Sequence, residues 1–217
     1  MTGVTGGTGR GLTRRRFLGA AAAAAAAATA ASTSACGGGG GRGDDASQTT
    51  VVTVPPLTGD AAVADLHARL ENLAIDTYDA LLDTATAGTL GVVPAVVGSV
   101  VTTARAQHAE HLAVWNRVLR TAGKPEVDTA DAGLTPTLDG LLAQVKDVDG
   151  AARLALLVEE ILADTYLKSI PTLLDPESVR AAALILVNDQ QHQAILRFAL
   201  GDYPVPEPLQ IPDKAAS

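Results

Sequence analysis

The residue types able to do chemistry fall into two matching sets. Glu71-Asn72-Leu73-Ala74-Ile75-Asp76-Thr77-Tyr78 is answered eighty-eight positions later by Glu159-Glu160-Ile161-Leu162-Ala163-Asp164-Thr165-Tyr166. The tyrosine follows the glutamate by seven positions, which on an α-helix leaves the two about 20° apart around the axis. Each copy therefore sets a carboxylate and a phenol on one face, two turns apart. Downstream of each copy comes a Gln-His step, Gln107-His108 (with His111 close behind) and Gln191-His192. Inward carboxylates and imidazoles from facing helices are the donor set of a metal site in a bundle core. The recurrent pattern is one Glu on each of two helices and an acid-x-x-His on each of the other two.

Glu71 and Glu159 are the candidate single glutamates, and Asp189-Gln190-Gln191-His192 supplies one acid-x-x-His, shortened by a methylene. Three residues turn a helix by 300°, so Asp189 and His192 lie about 60° apart on one face. The partner motif fails, because Arg105 stands three before His108; His111, three after it, offers a substitute ligand. Arginine stays protonated at physiological pH. An inward Arg105 would put a cation where a ligand belongs and favour one ion, or none, over a pair. A buried glutamate needs a partner, and for Glu71 and Glu159 the choice is between a metal and Arg105, His108 or Lys168. Tyr78 and Tyr166 are expected in the core beside the site, as hydrogen-bonded or redox residues. Glu160, about 100° off the inward direction, is expected on the surface or just outside the ligands, and His67 on the surface or against a neighbouring helix.

Elements must position these groups. Hydrophobic residues make up 47% of the chain and aromatics only 3%, which favours closely packed helices over a sheet. Helix signals predict a first helix from Thr58 or Asp60 to before Gly88, and a second from Pro94 to before Gly123. A short helix should run from Thr135-Pro136 to about Lys146. A third long helix is expected from about Asp149 to about Leu174, kinked at Pro171, and a fourth from Asp175-Pro176 to Gly201. Two repeated hairpins joined by one long crossover between helices 2 and 3 make an all-α four-helix bundle, spanning 58–203, with a Pro-rich tail over 204–217.

The N-terminus carries a different signal. Thr13-Arg14-Arg15-Arg16-Phe17-Leu18, followed by an alanine-rich run to Ala31, resembles a twin-arginine export signal over 1–35, in which Arg14 and Arg15 are the pair. Thr33-Ser34-Ala35 before Cys36, the one cysteine, resembles a lipoprotein processing box. Lipidation of Cys36 would leave 36–57 as a glycine-rich tether on the outer face of the cytoplasmic membrane, the alternative being secretion with a free thiol. The net charge is −8, and loss of residues 1–35, with four arginines and no acids, leaves −12. That excludes nucleic acid as a natural partner and favours cations.

Taken together, Glu71…Tyr78, Gln107-His108-Ala109-Glu110-His111, Glu159-Glu160…Tyr166, Gln191-His192-Gln193-Ala194-Ile195-Leu196-Arg197 and Tyr203-Pro204-Val205-Pro206 resemble an exported ferritin-like domain protein of the kind common in high-GC Gram-positive bacteria. The resemblance implies the ferritin-like bundle, and for the wider superfamily two iron or manganese ions serving oxidation, peroxide removal or iron storage. One expectation is thus an exported bundle holding one or two ions of iron, manganese or zinc, with an oxidative or oxidant-protective role. The other is a metal-free bundle acting as a lipoprotein interaction module with a protein partner at the cell surface. The sequence names no substrate.

Overall fold

The computed structural model describes residues 57–216. Arg14, Arg15 and Cys36 lie outside the described residues, as do the signal and most of the tether. Five helices follow in order: α1 (Asp60–Thr86), α2 (Ala95–Thr121), the short α3 (Thr135–Leu142), α4 (Val148–Ser169) and α5 (Pro176–Ala199). The described residues form no strand. The short loops between α1 and α2 and between α4 and α5 make two antiparallel hairpins, and the long connection carrying α3 crosses from one to the other. No helix among the described residues is long and apolar enough to cross a membrane.

Local chemistry sets the ends. Asp147 and Asp175 cap α4 and α5 by accepting hydrogen bonds from the backbone of Gly150 (2.7 Å) and Ser178 (2.9 Å). Gly123, at φ 68°, closes α2, and the Lys124 amide then reaches back to the Leu119 carbonyl at 2.8 Å. Asp60 accepts the amides of Leu174 and Asp175 at 2.9 and 2.7 Å, pinning the start of α1 to the α4–α5 turn. Two expectations shift. The short helix stops at Leu142 rather than near Lys146. Pro171 does not kink a continuing helix: α4 ends at Ser169 and Ile170–Thr172 forms a 3₁₀ turn, since proline cannot supply the amide the next turn needs.

The core is contiguous around two centres. Leu70, Leu73, Tyr78, Leu81, Leu154, Val158 and Leu162 form one; Trp115, Leu119, Tyr166, Leu173 and Ile185 form the other, on the α2 C-terminal side. The outer faces of α1 and α4 are covered in parallel ways. Asn116 of α2 pairs with the backbone of Val127 in the crossover in both directions, at 3.0 and 2.8 Å, and Asn72 of α1 donates to the same Val127 carbonyl at 3.4 Å, fixing the crossover against both helices. On α4, Asp164 accepts from Gln210 (2.8 Å) and from the Lys214 amide (3.0 Å), while the Thr165 hydroxyl accepts from the Ala216 amide (2.9 Å). The Pro-rich tail is thus not helical, as expected, and it folds back onto α4.

Candidate metal centre

The four long helices each deliver part of one buried cluster: Glu71 from α1, His108 and His111 from α2, Glu159 from α4, Asp189 and His192 from α5. Glu71, His108, Glu159 and Asp189 are completely buried, His192 is 6% exposed, and the His111 side chain is 12% exposed. His108 sits at the centre. Its Nδ1 lies 2.8 Å from Glu71 Oε2 and its Nε2 3.1 Å from Glu159 Oε1. His192 Nδ1 lies 3.1 Å from the same Glu159 oxygen, and its Nε2 is 2.6 Å from Gln107 Oε1. His111 Nδ1 is 3.5 Å from Glu71 Oε2 and 3.8 Å from Asp189 Oδ1.

The tyrosines cross over between hairpins. Tyr78 of the first repeat donates to Glu159 of the second, and Tyr166 of the second donates to Glu71 of the first, both at 2.5 Å. That length belongs to a hydroxyl donating to an ionised carboxylate. The spacing of seven puts each tyrosine on its own glutamate's face, yet two turns away it is the antiparallel partner's glutamate that lies within reach. Trp115 Nε1 in turn donates to the Tyr166 oxygen at 2.6 Å.

Protons distribute over the cluster according to burial and charge. Burial alone would raise Glu71 and Glu159, but the neighbouring imidazoles hold both down to about 2: the hydrogen bond and charge of His108 and the proximity of His111 for Glu71, and His108 and His192 for Glu159. Burial alone would lower His108; the charges and hydrogen bonds of the two glutamates lift it well above its ordinary value. An imidazole facing a carboxylate at each nitrogen can donate at both only as the imidazolium. Asp189 is pushed well above the usual carboxylate range, first by burial and then by the charges of Glu159 and Glu71. Burial and the same glutamates keep Tyr78 and Tyr166 phenolic.

Several donor atoms are left over. Both oxygens of Asp189, Glu159 Oε2 and His111 Nδ1 are buried with no hydrogen-bond partner among the described residues. Orphaned buried carboxylate oxygens are costly and call for an explanation, an ion among them. Ligand atoms of His108, Glu159, Asp189 and His192 lie within 4.8 Å of one another, and so do those of Glu71, His108 and His111. Three carboxylates and three imidazoles suit iron, manganese or zinc. The residues present fit a metal.

The sequence of residues 46–202 matches the model of a family described as the ferritin-like domain. This chain belongs to that family. No curated protein and no solved structure matches it.

Within this ferritin-like bundle the six proposed ligands do converge, but not every residue singled out in the sequence joins them. Arg105 points outward and clasps Asp79 through two hydrogen bonds of 2.9 and 2.8 Å. It neither depletes the site nor modulates it; Ala104 is the residue facing inward there, 2% exposed. Glu160 is buried rather than on the surface, but it pairs with Arg197 and Lys214 and touches no member of the cluster. His67 is fully buried against Tyr166, ring centroids 3.9 Å apart and nearly parallel, with Trp115 at 5.1 Å. The exposed alternative for His67 is excluded, and its helix contact is a stack. The register also shifts. His111, not His108, is the counterpart of His192, since each stands three residues after the residue that meets the centre, so His108-x-x-His111 mirrors Asp189-x-x-His192. The sequence held that signal in the equal spacing of three.

Gln107, part of the Gln-His step but not a candidate ligand, also joins the cluster. Its only mark in the sequence is its place beside His108, and its contact to His192 crosses from α2 to α5.

Proposed function

We propose that this chain is an exported ferritin-like protein whose bundle core holds a divalent iron, manganese or zinc ion, in an oxidative or oxidant-protective role. The observation that carries the reading is Asp189, a fully buried carboxyl with neither oxygen partnered, beside the unpartnered Glu159 Oε2. Glu159, Asp189, His192 and His108 would hold the ion, with Glu71 and His111 on the other side of His108. A bound iron or manganese would supply one-electron redox chemistry that these side chains lack.

The chain's own residues do the rest. Tyr78 and Tyr166 orient Glu159 and Glu71, each donating its phenolic proton across an oxygen–oxygen distance of 2.5 Å. Gln107 fixes the ring of His192 through Nε2, which leaves Nδ1 aimed at Glu159. His108 must release a proton to become a ligand, and the two glutamates between which it sits are where the gain in negative charge is felt. Burial of all six groups excludes bulk water.

Elemental analysis of protein purified after its own export tests this: we expect about one ion per chain, and a trace content would overturn it. Export itself rests on the Arg14-Arg15 pair and Cys36. Lysine at both arginines should keep the protein in the cytoplasm, and Cys36→Ala should release it from the membrane; unchanged fractionation removes the corresponding claim. A second reading, a metal-free bundle serving as an interaction module, is favoured by the His108 imidazolium, which already neutralises part of the cluster. Metal-free protein of full stability would support it.

A further inference from the structure

An apolar cavity of about 540 Å³ lies at the end of the bundle where α1 and α5 finish and α2 and α4 begin. We propose that it binds one aliphatic chain bearing a neutral or cationic head, and that it brings this chain toward the proposed metal centre. The volume falls in the range of small-molecule sites, about 300–1,000 Å³. Asp149 is the one polar side chain among the lining residues; the others are aliphatic apart from Phe198. Among the described residues no side chain inside can hydrogen-bond a ligand, and there is no pair of aromatic walls to sandwich a planar ring. A flexible hydrocarbon body is what such walls accept.

The floor and the rim differ. Leu81, Ala155 and Leu196 form the floor and are 3%, 2% and 6% exposed. Each stands close to a residue of the cluster: Leu81 follows Tyr78 by three positions, Ala155 precedes Glu159 by four, and Leu196 follows His192 by four. Three or four residues are about one turn, or 5–6 Å along a helix. The floor therefore lies one turn along the helices from Tyr78, Glu159 and His192. At the rim, Val96 and Phe198 are 70% and 75% exposed, so a chain can enter from solvent. Charge complementarity chooses the head: Asp149 would repel a carboxylate and attract a cation. That the bound chain is a substrate rests on the metal-centre reading; that it binds does not.

Calorimetric titration of the metal-free full chain with 1-decanol, decyltrimethylammonium and decanoate, each below its micellar concentration, tests the site. We expect one decanol or decyltrimethylammonium per chain and at least about tenfold weaker decanoate. Ala155→Phe, which fills the floor, and Val96→Asp, at the exposed rim where folding is not at stake, should each weaken decanol binding by at least about tenfold. Asp149→Lys should reverse the order of decyltrimethylammonium and decanoate. Wild-type protein that binds none of the three overturns the proposal, as does decanol binding insensitive to Val96→Asp and Ala155→Phe. A dimer dissolved by Val96→Asp, with no ligand bound by the wild type, would give the apolar end to a second copy instead. Decanol binding by a protein devoid of metal after export would keep the cavity assignment and sink the metal reading alone.

Discussion

Asp189→Asn separates a metal centre from a self-contained polar core. In the metal-free protein burial and the charges of Glu159 and Glu71 push the Asp189 carboxyl well above the usual carboxylate range, which favours its neutral form, and asparagine matches that form in charge and nearly in shape. Neither Asp189 oxygen has a partner to lose. Metal-free stability should therefore change by no more than about 1 kcal/mol. With metal the two proteins part. A ligand that binds only the native state at about 1,000 times its Kd adds about 4 kcal/mol, or roughly 8–16 °C in Tm at this chain length. Asparagine cannot become an anion. Disturbing even an outer partner of a metal ligand costs about 10–100-fold in affinity, so loss of a charged ligand should cost at least about 100-fold. At the same metal concentration about 1.4 kcal/mol of stabilisation then remains, or about 3–6 °C. The assay is thermal unfolding of both proteins across a manganese, iron(II) or zinc titration, after stripping with chelator. Equal shifts in the two proteins, or no shift in the wild type, would refute the assignment of Asp189 as a ligand.

Three other predictions follow from single residues. Burial lowers the His67 pKa from 6.5 to about 4, against a smaller opposing effect of Glu71. The unfolded chain thus takes up this proton first, and stability should fall on the order of 3 kcal/mol as pH drops from about 6.5 to about 4. His67→Phe keeps the stack and should remove that component, and equal slopes of wild type and variant in urea unfolding across this window would refute it. Tyr78→Phe and Tyr166→Phe each remove a hydrogen bond to a charged carboxylate, at about 1.5–3 kcal/mol, the larger loss falling on Tyr166, which also accepts from Trp115; unchanged denaturant midpoints would show that the cross-hairpin straps do not bear on stability. Arg105→Glu should leave metal content unchanged, and cost at most about 1 kcal/mol for its exposed pair with Asp79, whereas His108→Glu should raise metal content toward two ions per chain; elemental analysis giving the opposite order would return Arg105 to the site.

The fold was legible because helix signals and repeat agree at every level. Proline and glycine bracket the helices, the Glu-to-Tyr spacing marks the inward face, and the two copies fix two hairpins. The buried cluster was legible for the same reason, since period 3.6 places Glu71, Glu159, Asp189 and His192 on apolar stripes. What was not legible is the rotation of α2. Arg105 and His108 lie about 60° apart, and so do His108 and His111, so spacing alone allows the inward arc to include either flank. Packing decides, because Ala104 fits beneath the cluster and Asp79 on α1 offers Arg105 a partner outside. Glu160 escaped because its partners, Arg197 and Lys214, lie 37 and 54 residues away; no helical period reports such contacts. The tyrosine cross-straps escaped in the same way.

The reason to expect one ion rather than two survives the loss of Arg105, but it passes to His108. A carboxylate at that position would present two oxygens on one carbon, each free to serve a different ion without giving up a proton. Imidazole reaches both glutamates, with Nδ1 toward Glu71 and Nε2 toward Glu159, yet a neutral ring keeps a proton on one nitrogen and offers a single lone pair. His108 therefore serves one side at a time. On the Glu159 side it completes a set of four with Asp189 and His192; on the Glu71 side it completes a set of three with His111. The fuller set also carries two carboxylates against one, so it is the stronger cation site on both count and charge. Once His108 turns a lone pair to that side, its remaining N–H points at Glu71 and satisfies it as a hydrogen-bond donor. Glu71 would then be satisfied by two hydrogen-bond donors, His108 and Tyr166, rather than by a second ion, which would make the asymmetry of the two repeats a property of one side chain.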